Sequence, residues 1–373
     1  MNYFYNILNI RLKTINTSYK RYIYDKIDWS NRLVALTGAG GVGKTTLLLQ
    51  HIKLNHSKDE ILFIPANHPY LSHIRLYDLA AIFYKNGGKH LFIDEIHKCH
   101  GGIEELMLIY DHFPRLQIVF TCSSMVNLDK LDKAEKWRIY GLSFREYVNH
   151  VKNMNIPVYP LEKILKNRVE TTGLSYPLPL FKKYLENGYY MFSEKTYELQ
   201  LLACVQNVVE SDIPICRRMN MASVENLKHL LYIILQESPL KPNYTELAET
   251  IGVHRNQVVT FLNDLEKAGL VIQLRNTGGR VEKIYPANTT ITNIADTTRQ
   301  KPEVLTGTFF LSQMVVNHSE IRSIKQGFSI GGYSFIINQR RKKQESSQTF
   351  YVEDDIDFGN QNTIPLWAFG FNY

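Results

Sequence analysis

The strongest constraint on the fold is a glycine-rich segment, Gly38–Thr46, which reads Gly-Ala-Gly-Gly-Val-Gly-Lys-Thr-Thr. It fits the pattern G-x-x-x-x-G-K-[ST], the signature of a loop that binds phosphate, also called a Walker A motif. The apolar run Leu33–Thr37 precedes this segment, and an apolar run follows it. The sequence therefore predicts a buried strand, the loop and then a helix, which is the context that the motif requires.

The residue types of this loop explain how it would hold a nucleotide. Its glycines allow a tight turn whose backbone N–H groups point at phosphate oxygens, at the positive end of the next helix. Lys44 is expected to reach the β- and γ-phosphates, and the Thr45 hydroxyl to be a ligand of Mg²⁺. A glycine-rich turn without a ligand is the less favoured alternative, because Lys and Thr follow the last glycine. The predicted nucleotide-binding residues are Gly38, Ala39, Gly40, Gly41, Val42, Gly43, Lys44, Thr45 and Thr46.

A second apolar run, His90–Ile93, ends in the carboxylates Asp94 and Glu95, as a Walker B strand does. Asp94 is expected to hold Mg²⁺ through water, and Glu95 to polarise the attacking water as a general base. Solvated charges at a strand end are the alternative, which the preceding loop motif makes less favourable. Together the two segments predict binding of ATP and Mg²⁺, followed by hydrolysis.

Composition limits the class of protein. The 373 residues are 44% hydrophobic and 21% charged, which is typical of a globular protein of roughly two to four domains. A formal charge of +7 permits a nucleic-acid partner without requiring one. The four cysteines have no metal-ligand spacing, and no apolar run is long enough for a membrane span. These features predict a cytoplasmic protein without membrane contact.

Strands alternate with helices in the first part of the chain, which predicts an α/β fold with a mostly parallel sheet. The phosphate loop, Asp94–Glu95 and Ser123–Ser124 all fall at carboxyl ends of strands, where such sheets bind ligands. The expected strands are Leu33–Thr37, Ile61–Ile64, His90–Glu95, Leu116–Thr121 and Arg138–Leu142. The expected domains are a helical arm (1–31), an ATPase core (32–150), a helical lid (151–225), a winged helix (226–290) and a small mixed domain (302–373).

The winged helix is predicted from a short helix ending at Gly252, a longer helix that follows, and two strands joined by Gly278-Gly279. Such a fold binds double-stranded DNA through the start of the second helix and through the wing. A role in protein contacts or interdomain packing is the alternative, and both stay open. The candidate DNA contacts are His254, Arg255, Asn256 and Gln257 at the helix start and Arg275, Arg280 and Lys283 on the wing.

Three segments resemble a known family: Phe92–Lys98, Thr121–Ser124 and Leu142–Tyr147. They are similar to prokaryotic AAA-type ATPases that have a C-terminal domain of unknown function. The resemblance covers nearly the whole chain and implies a winged helix followed by a restriction-endonuclease-like domain. The end of the chain, Ile364–Phe371, resembles a variant found in Bacteroidetes.

The resemblance also implies roles for individual residues. Lys44, Thr45, Asp94 and Glu95 keep the roles given above. Ser123 or Ser124 matches the polar sensor of the γ-phosphate, and the register favours Ser123. Many relatives carry Arg-Arg where this chain has Gly40-Gly41, and a second arginine pair is reduced here to Arg138, a poor candidate for an arginine finger.

The C-terminal residues predict an inactive nuclease-like domain. A helix is expected at Thr308–Val316, and the expected strands are Phe335–Asn338, Thr349–Val352 and Ile364–Phe371. A nuclease of this fold needs an acid on one strand and Glu-x-Lys on the next. Asp357 stands in the first place, but Trp367 and Phe369 occupy the others. A docking module for a protein partner or a second copy of the chain is the prediction.

Two charged runs lie between these strands, the basic Gln339–Lys343 and the acidic Glu353–Asp357, and solvated hairpins are expected for both. For the whole chain, the sequence predicts an ATP-hydrolysing switch protein that couples its nucleotide state to the winged helix and the docking module. The alternatives are a DNA-binding regulator that holds nucleotide with little turnover, and a nuclease.

Overall fold

The structure is a computed structural model that describes residues 2–170, 173–295, 302–337 and 347–373. Its helices are α1 (Asn2–Thr14), α2 (Lys44–Asn55), α3 (Leu76–Lys85), α4 (Gly102–His112), α5 (Phe144–Lys152), α6 (Leu161–Leu165), α7 (Leu178–Asn187), α8 (Tyr197–Asn207), α9 (Ile213–Arg217), α10 (Met221–Glu237), α11 (Tyr244–Ile251), α12 (Arg255–Lys267) and α13 (Pro302–Met314). Its strands are β1 (Leu33–Gly38), β2 (Ile61–Pro65), β3 (His90–Asp94), β4 (Gln117–Ser123), β5 (Glu135–Ile139), β6 (Val271–Arg275), β7 (Val281–Pro286), β8 (Arg322–Ile324), β9 (Gly327–Ile330), β10 (Tyr333–Ile337), β11 (Thr349–Glu353) and β12 (Thr363–Pro365).

The chain divides into two compact units. The first consists of Met1–Tyr140 and Gln206–Asn220, and the second of Gly141–Val205 and Met221–Tyr373. No helix in the described ranges is both long and apolar enough to cross a bilayer.

A parallel sheet organises the first unit. Among its described residues, five strands lie side by side in the order β2-β3-β4-β1-β5, and every neighbouring pair is parallel. The central strands are continuous apolar runs, as expected for a sheet that helices cover on both faces. This sheet with its helices fits the fold of P-loop NTPases.

The expected position of the fifth strand was wrong. We expected it at Arg138–Leu142, whereas β5 begins at Glu135 and ends at Ile139. The strand lies at the edge of the sheet and alternates between exposed and half-buried positions. Its polar residues therefore hide the strand from a search for apolar runs.

The helix α1 packs its buried Phe4 and Leu8 against the first unit and ends at Thr14. The chain from 15 to 31 then forms turns rather than a longer helix. The Gln50 side chain supports these turns, because its amide donates to the carbonyls of Asn16 and Tyr19.

The second unit contains a mixed sheet with the strand order β12-β11-β10-β9-β8-β6-β7. Helices α10, α11 and α12 precede the antiparallel hairpin β6–β7 in the chain. An aromatic core lies behind the sheet, where the Phe369 ring centroid is 4.9 Å from that of Phe310 and 5.7 Å from that of Phe335.

The prediction of a strand at Ile364–Phe371 was also wrong over most of its length. The strand β12 ends at Pro365, and Leu366–Phe371 is a 3-10 helix that carries Trp367 and Phe369 into the core. Pro365 has no N–H group with which to continue a strand ladder, so the chain changes structure there. The predicted basic run at 339–343 lies outside the described residues.

Candidate nucleotide site

The glycine-rich loop connects β1 to α2 at the carboxyl edge of the first sheet. Gly43, at the start of α2, has φ of 93°, a left-handed conformation that favours glycine. Gly38 is needed for a different reason, since a Cβ atom there would lie 2.3 Å from the carbonyl oxygen of Ile139. These glycines hold the loop close to β5 and leave its backbone free to face a ligand.

The Lys44 amine lies over this loop. Its Nζ atom donates hydrogen bonds to the carbonyl oxygens of Gly38 at 2.9 Å and of Ala39 at 2.7 Å. Burial lowers the pKa of Lys44, and nearby acids, led by Asp212, oppose this shift. An anion in the loop would oppose it in the same way, so the site electrostatically favours a bound phosphate.

Asp94 is the buried acid of the site, with an exposed fraction of 4%. Its Oδ1 atom accepts hydrogen bonds from the hydroxyls of Thr45 at 2.8 Å and Thr121 at 2.7 Å. Its Oδ2 atom forms an ion pair with Arg11 of α1, at 3.1 Å from Nη1. The structure thus brings Thr45 and Asp94 together and adds Arg11, which the sequence analysis did not assign to the site.

Glu95 follows β3 in an unusual backbone conformation. Its φ of 58° and ψ of 47° are left-handed, which costs free energy for a residue with a side chain. The Glu95 N–H donates to the Thr121 hydroxyl at 2.8 Å and so helps to fix this conformation. Such strain at the end of a strand is typical of functional sites.

The two candidate sensor serines differ in their contacts. The Ser123 hydroxyl oxygen accepts a hydrogen bond from the N–H of Met125 at 3.3 Å. The buried Ser124 hydroxyl has no hydrogen-bond partner among the residues that the structure describes. Both hydroxyls keep a hydrogen to donate, so the geometry leaves the choice between them open.

The sequence analysis gave no role to three residues near this site, the buried His97 and Asp212 and the half-buried Lys98. Asp212 lies on a π-helix, Val208–Asp212, and its Oδ1 atom is 3.2 Å from His97 Nε2 and 3.5 Å from Lys98 Nζ. Asp212 lies far from the other two in sequence, so no local motif could have indicated it. The only sequence signal for this group was the presence of His97 and Lys98 shortly after Asp94 and Glu95.

The predicted DNA contacts lie in the second unit. His254 and Arg255 are exposed at the start of α12, and Gln257 is half-buried one turn later. Arg280 is exposed in the hairpin turn, and Lys283 is half-buried on β7. These five side chains lie at the start of one helix and on one hairpin.

Arg275 differs from the other basic residues of the hairpin. Its Nη2 atom is 3.0 Å from Glu266 Oε2, so an acid already offsets its charge. The other hairpin cations line a cleft of about 530 Å³ together with two lysines that sequence reasoning missed. The basic residues of this cleft are Lys241, Arg280, Lys283 and Lys325.

The acids of the C-terminal region make contacts within the second unit. Asp357 Oδ1 accepts a hydrogen bond from the Leu178 N–H at 3.3 Å, and Asp354 Oδ2 accepts one from the Thr306 hydroxyl at 3.0 Å. Within the described ranges, no group of three or more His, Cys, Asp or Glu residues is arranged to hold a metal ion.

Comparisons with known proteins found distant similarities over most of the chain. An uncharacterized protein of Methanocaldococcus jannaschii is 25% identical over 307 residues, which are 73% of this chain but only 65% of the relative. A signal transduction ATPase with numerous domains and a tetratricopeptide repeat sensor, from Pyrococcus horikoshii, is 12% identical with a TM-score of 0.31, over 80% of this chain and 45% of that one. C. elegans PCH-2 is 16% identical with a TM-score of 0.26, over 72% of this chain and 66% of that one.

The domain itself is matched more directly. Residues 30–148 match a family model described as an AAA domain. The match contains the glycine-rich loop, the acids that follow β3 and the serines that follow β4. Residues 30–148 are therefore similar to AAA domains, in agreement with a parallel sheet that fits the fold of P-loop NTPases.

Proposed function

We propose that this protein binds ATP together with Mg²⁺ and hydrolyses it to ADP and phosphate. The observation that carries the proposal is the hydrogen bond of 2.8 Å between Thr45 and Asp94. It joins the end of the glycine-rich loop to the end of β3, the two segments that a nucleotide and its metal need together.

The residues present suit Mg²⁺, because a hydroxyl and a carboxylate supply the oxygen ligands that this ion prefers. Thr45 would be a ligand, and Asp94 would hold the ion through water. Bound Mg²⁺ would neutralise charge on the phosphates. Lys44, which now donates to loop carbonyls, would donate to the β- and γ-phosphates instead.

The hydrolytic step is assigned to the residues that follow β3 and β4. Glu95 would accept a proton from the attacking water as a general base, with its position fixed by the Thr121 hydroxyl. Ser123 or Ser124 would donate a hydrogen bond near the γ-phosphate. Comparing Ser123→Ala with Ser124→Ala would decide between them, since the sensor variant should lose turnover more than ATP affinity.

We further propose that the nucleotide state is coupled to the rest of the chain. In this account 1–31 is an arm, 32–150 the ATPase core, 151–225 a lid, 226–290 a winged helix and 302–373 a degenerate nuclease-like docking domain. The basic cleft at β6–β7 favours double-stranded DNA as a partner of the winged helix. A DNA-binding regulator with slow turnover is the second candidate function, and that cleft is the observation in its favour.

Titration of the purified protein with ATP and Mg²⁺, followed by phosphate release, tests the proposal. Lys44→Ala should weaken ATP binding by about 100-fold or more, because a charged phosphate contact is lost. Lys58→Ala removes an exposed lysine of the same unit and should leave the affinity unchanged. Equal affinities of the two variants would contradict the proposed site.

A further inference from the structure

A group of polar side chains, with His97 and Asp212 buried and Glu95 and Lys98 half-buried, joins the end of β3 to a segment of the first unit that is distant in sequence. This segment, Gln206–Asn220, belongs to the first unit although its neighbours in the chain on both sides belong to the second. It contains the π-helix Val208–Asp212. Such π-helical turns are rare in proteins, and those that occur are often at functional sites. Asp212, at the end of this turn, is only 3% exposed.

Asp212 contacts His97 and Lys98, which lie two and three residues after Glu95. The Lys98 ammonium lies between two carboxylates, with Nζ 3.5 Å from Asp212 Oδ1 and 3.6 Å from Glu95 Oε2. The same ammonium donates a hydrogen bond of 2.7 Å to the side-chain oxygen of Asn207. Lys98 is therefore held from the distant segment while its charge faces the proposed base.

His97 makes the second connection. Its Nδ1 atom accepts a hydrogen bond from the Ser123 N–H at 3.2 Å, so the proton of the neutral ring lies on Nε2. That Nε2 atom faces Asp212 Oδ1 at 3.2 Å. Asp212 thus reaches both strand ends of the proposed site, the end of β3 through Lys98 and the end of β4 through His97.

The carboxylate of Asp212 is compensated in its buried position. Burial by itself would raise the pKa of Asp212, but the neighbouring His97, Lys98 and Lys44 side chains lower it overall. A buried charge is expensive unless it is paired, and each pairing partner here belongs to the nucleotide site or adjoins it. The direct hydrogen bonds of Lys44 and Thr45 do not include Asp212.

We infer that Asp212 is a positioning residue for ATP hydrolysis, which it supports by holding Lys98 beside Glu95 and His97 beside Ser123. The inference rests on the proposed function. If Asp212 has this role, the rate of ATP hydrolysis depends on the position of Gln206–Asn220 against the rest of the first unit, whereas ATP binding does not. Because the chain on either side of this segment belongs to the second unit, a change there can alter turnover without touching the phosphate loop.

The test compares two variants of the same π-helix in the full-length protein. Asp212→Asn keeps the size of the side chain and removes its charge, whereas Glu210→Gln makes the same change at an exposed position. Asp212→Asn should lower kcat by about 10- to 100-fold and change KM and the Kd for ATP by less than about 3-fold. Glu210→Gln should match the wild type in all three.

A double-mutant cycle identifies the route through Lys98. Lys98→Met should lower kcat, and Asp212→Asn should lower kcat less in that variant than in the wild type, because the two residues share the contact beside Glu95 while Asp212 also holds His97. If Asp212→Asn does not fold, Lys98→Met alone must still lose kcat at unchanged ATP affinity. Fully multiplicative effects would overturn the inference.

Two further outcomes would overturn it, and they differ from failure of the proposed function. A wild-type kcat in Asp212→Asn would contradict positioning, and a parallel loss of kcat, ATP affinity and melting temperature would show a structural role only. A wild-type protein that binds ATP but releases no phosphate would contradict the proposed hydrolysis itself, and the inference with it.

Discussion

The two units place their charges differently. In the first unit, acids and bases are buried at the carboxyl ends of parallel strands, where Asp94 is 4% and Asp212 3% exposed. In the second, the core is aromatic, and its buried Arg145 donates to the backbone carbonyls of Tyr373 and Ile156. The cations of the basic cleft include Arg280, which is exposed in the hairpin turn. Buried charges are costly, so a group of them indicates chemistry, whereas exposed cations indicate a surface that meets a polyanion.

This difference predicts which property each substitution changes. Substitutions at the buried polar site should alter ligand affinity or turnover, and substitutions in the aromatic core should alter folding. Substitutions at the exposed cations should alter only the binding of an anionic partner.

The largest effect on stability is expected in the aromatic core of the second unit. Phe369→Ala should lower the free energy of unfolding by about 3–5 kcal/mol, because a fully buried ring is replaced by a cavity. Denaturant titration measures this change. Phe358→Ala removes an exposed ring nearby and is the control, with a change expected below about 0.5 kcal/mol. Similar losses in both variants would contradict the proposed core role of the 3-10 helix.

How far the sequence predicted the structure depends on distance along the chain. The loop and the acids after β3 were predictable because each is a local pattern. Arg11 was not, because it lies 83 residues from the carboxylate that it pairs with. Asp212 sits in a stretch that reads only as helix, and its role depends on packing that no periodicity encodes.

The second unit was harder to predict for another reason. Trp367 and Phe369 alternate as strand residues do, but every residue of Leu366–Phe371 is buried, so the alternation does not report which structure the segment adopts. The predicted position of the polar edge strand β5 was shifted along the chain, because a strand that is buried on only one side has few apolar residues to mark it.

An intermediate effect is expected at the basic cleft. Arg280→Ala should weaken binding of duplex DNA by about 10-fold at low salt and reduce the slope of log K against log salt by about 1. Arg275→Ala is the matched comparison and should have a smaller effect, because Glu266 already offsets its charge. Fluorescence anisotropy at several salt concentrations measures both. An equal loss in the two variants, or no binding by the wild type, would contradict this surface.

The smallest effect is expected at Arg11, whose side chain is 36% exposed. Its guanidinium pairs with the Asp94 oxygen that Thr45 and Thr121 leave free. Arg11→Gln should therefore lower the Mg²⁺ concentration needed for half-maximal ATP binding by about 2- to 5-fold, as expected for a partly exposed pair. An unchanged or higher Mg²⁺ requirement would show that Arg11 does not compete with the ion.

The central claim is that the buried site of the first unit hydrolyses ATP with Glu95 as the base. Single-turnover phosphate release by Glu95→Gln tests it most directly, with ATP affinity measured on the same preparation. The account predicts an affinity within about 3-fold of the wild type and a rate lower by about 100- to 10,000-fold. Glu104→Gln, at an exposed position of the same unit, should retain the wild-type rate. Phosphate release by Glu95→Gln at the wild-type rate would contradict the claim.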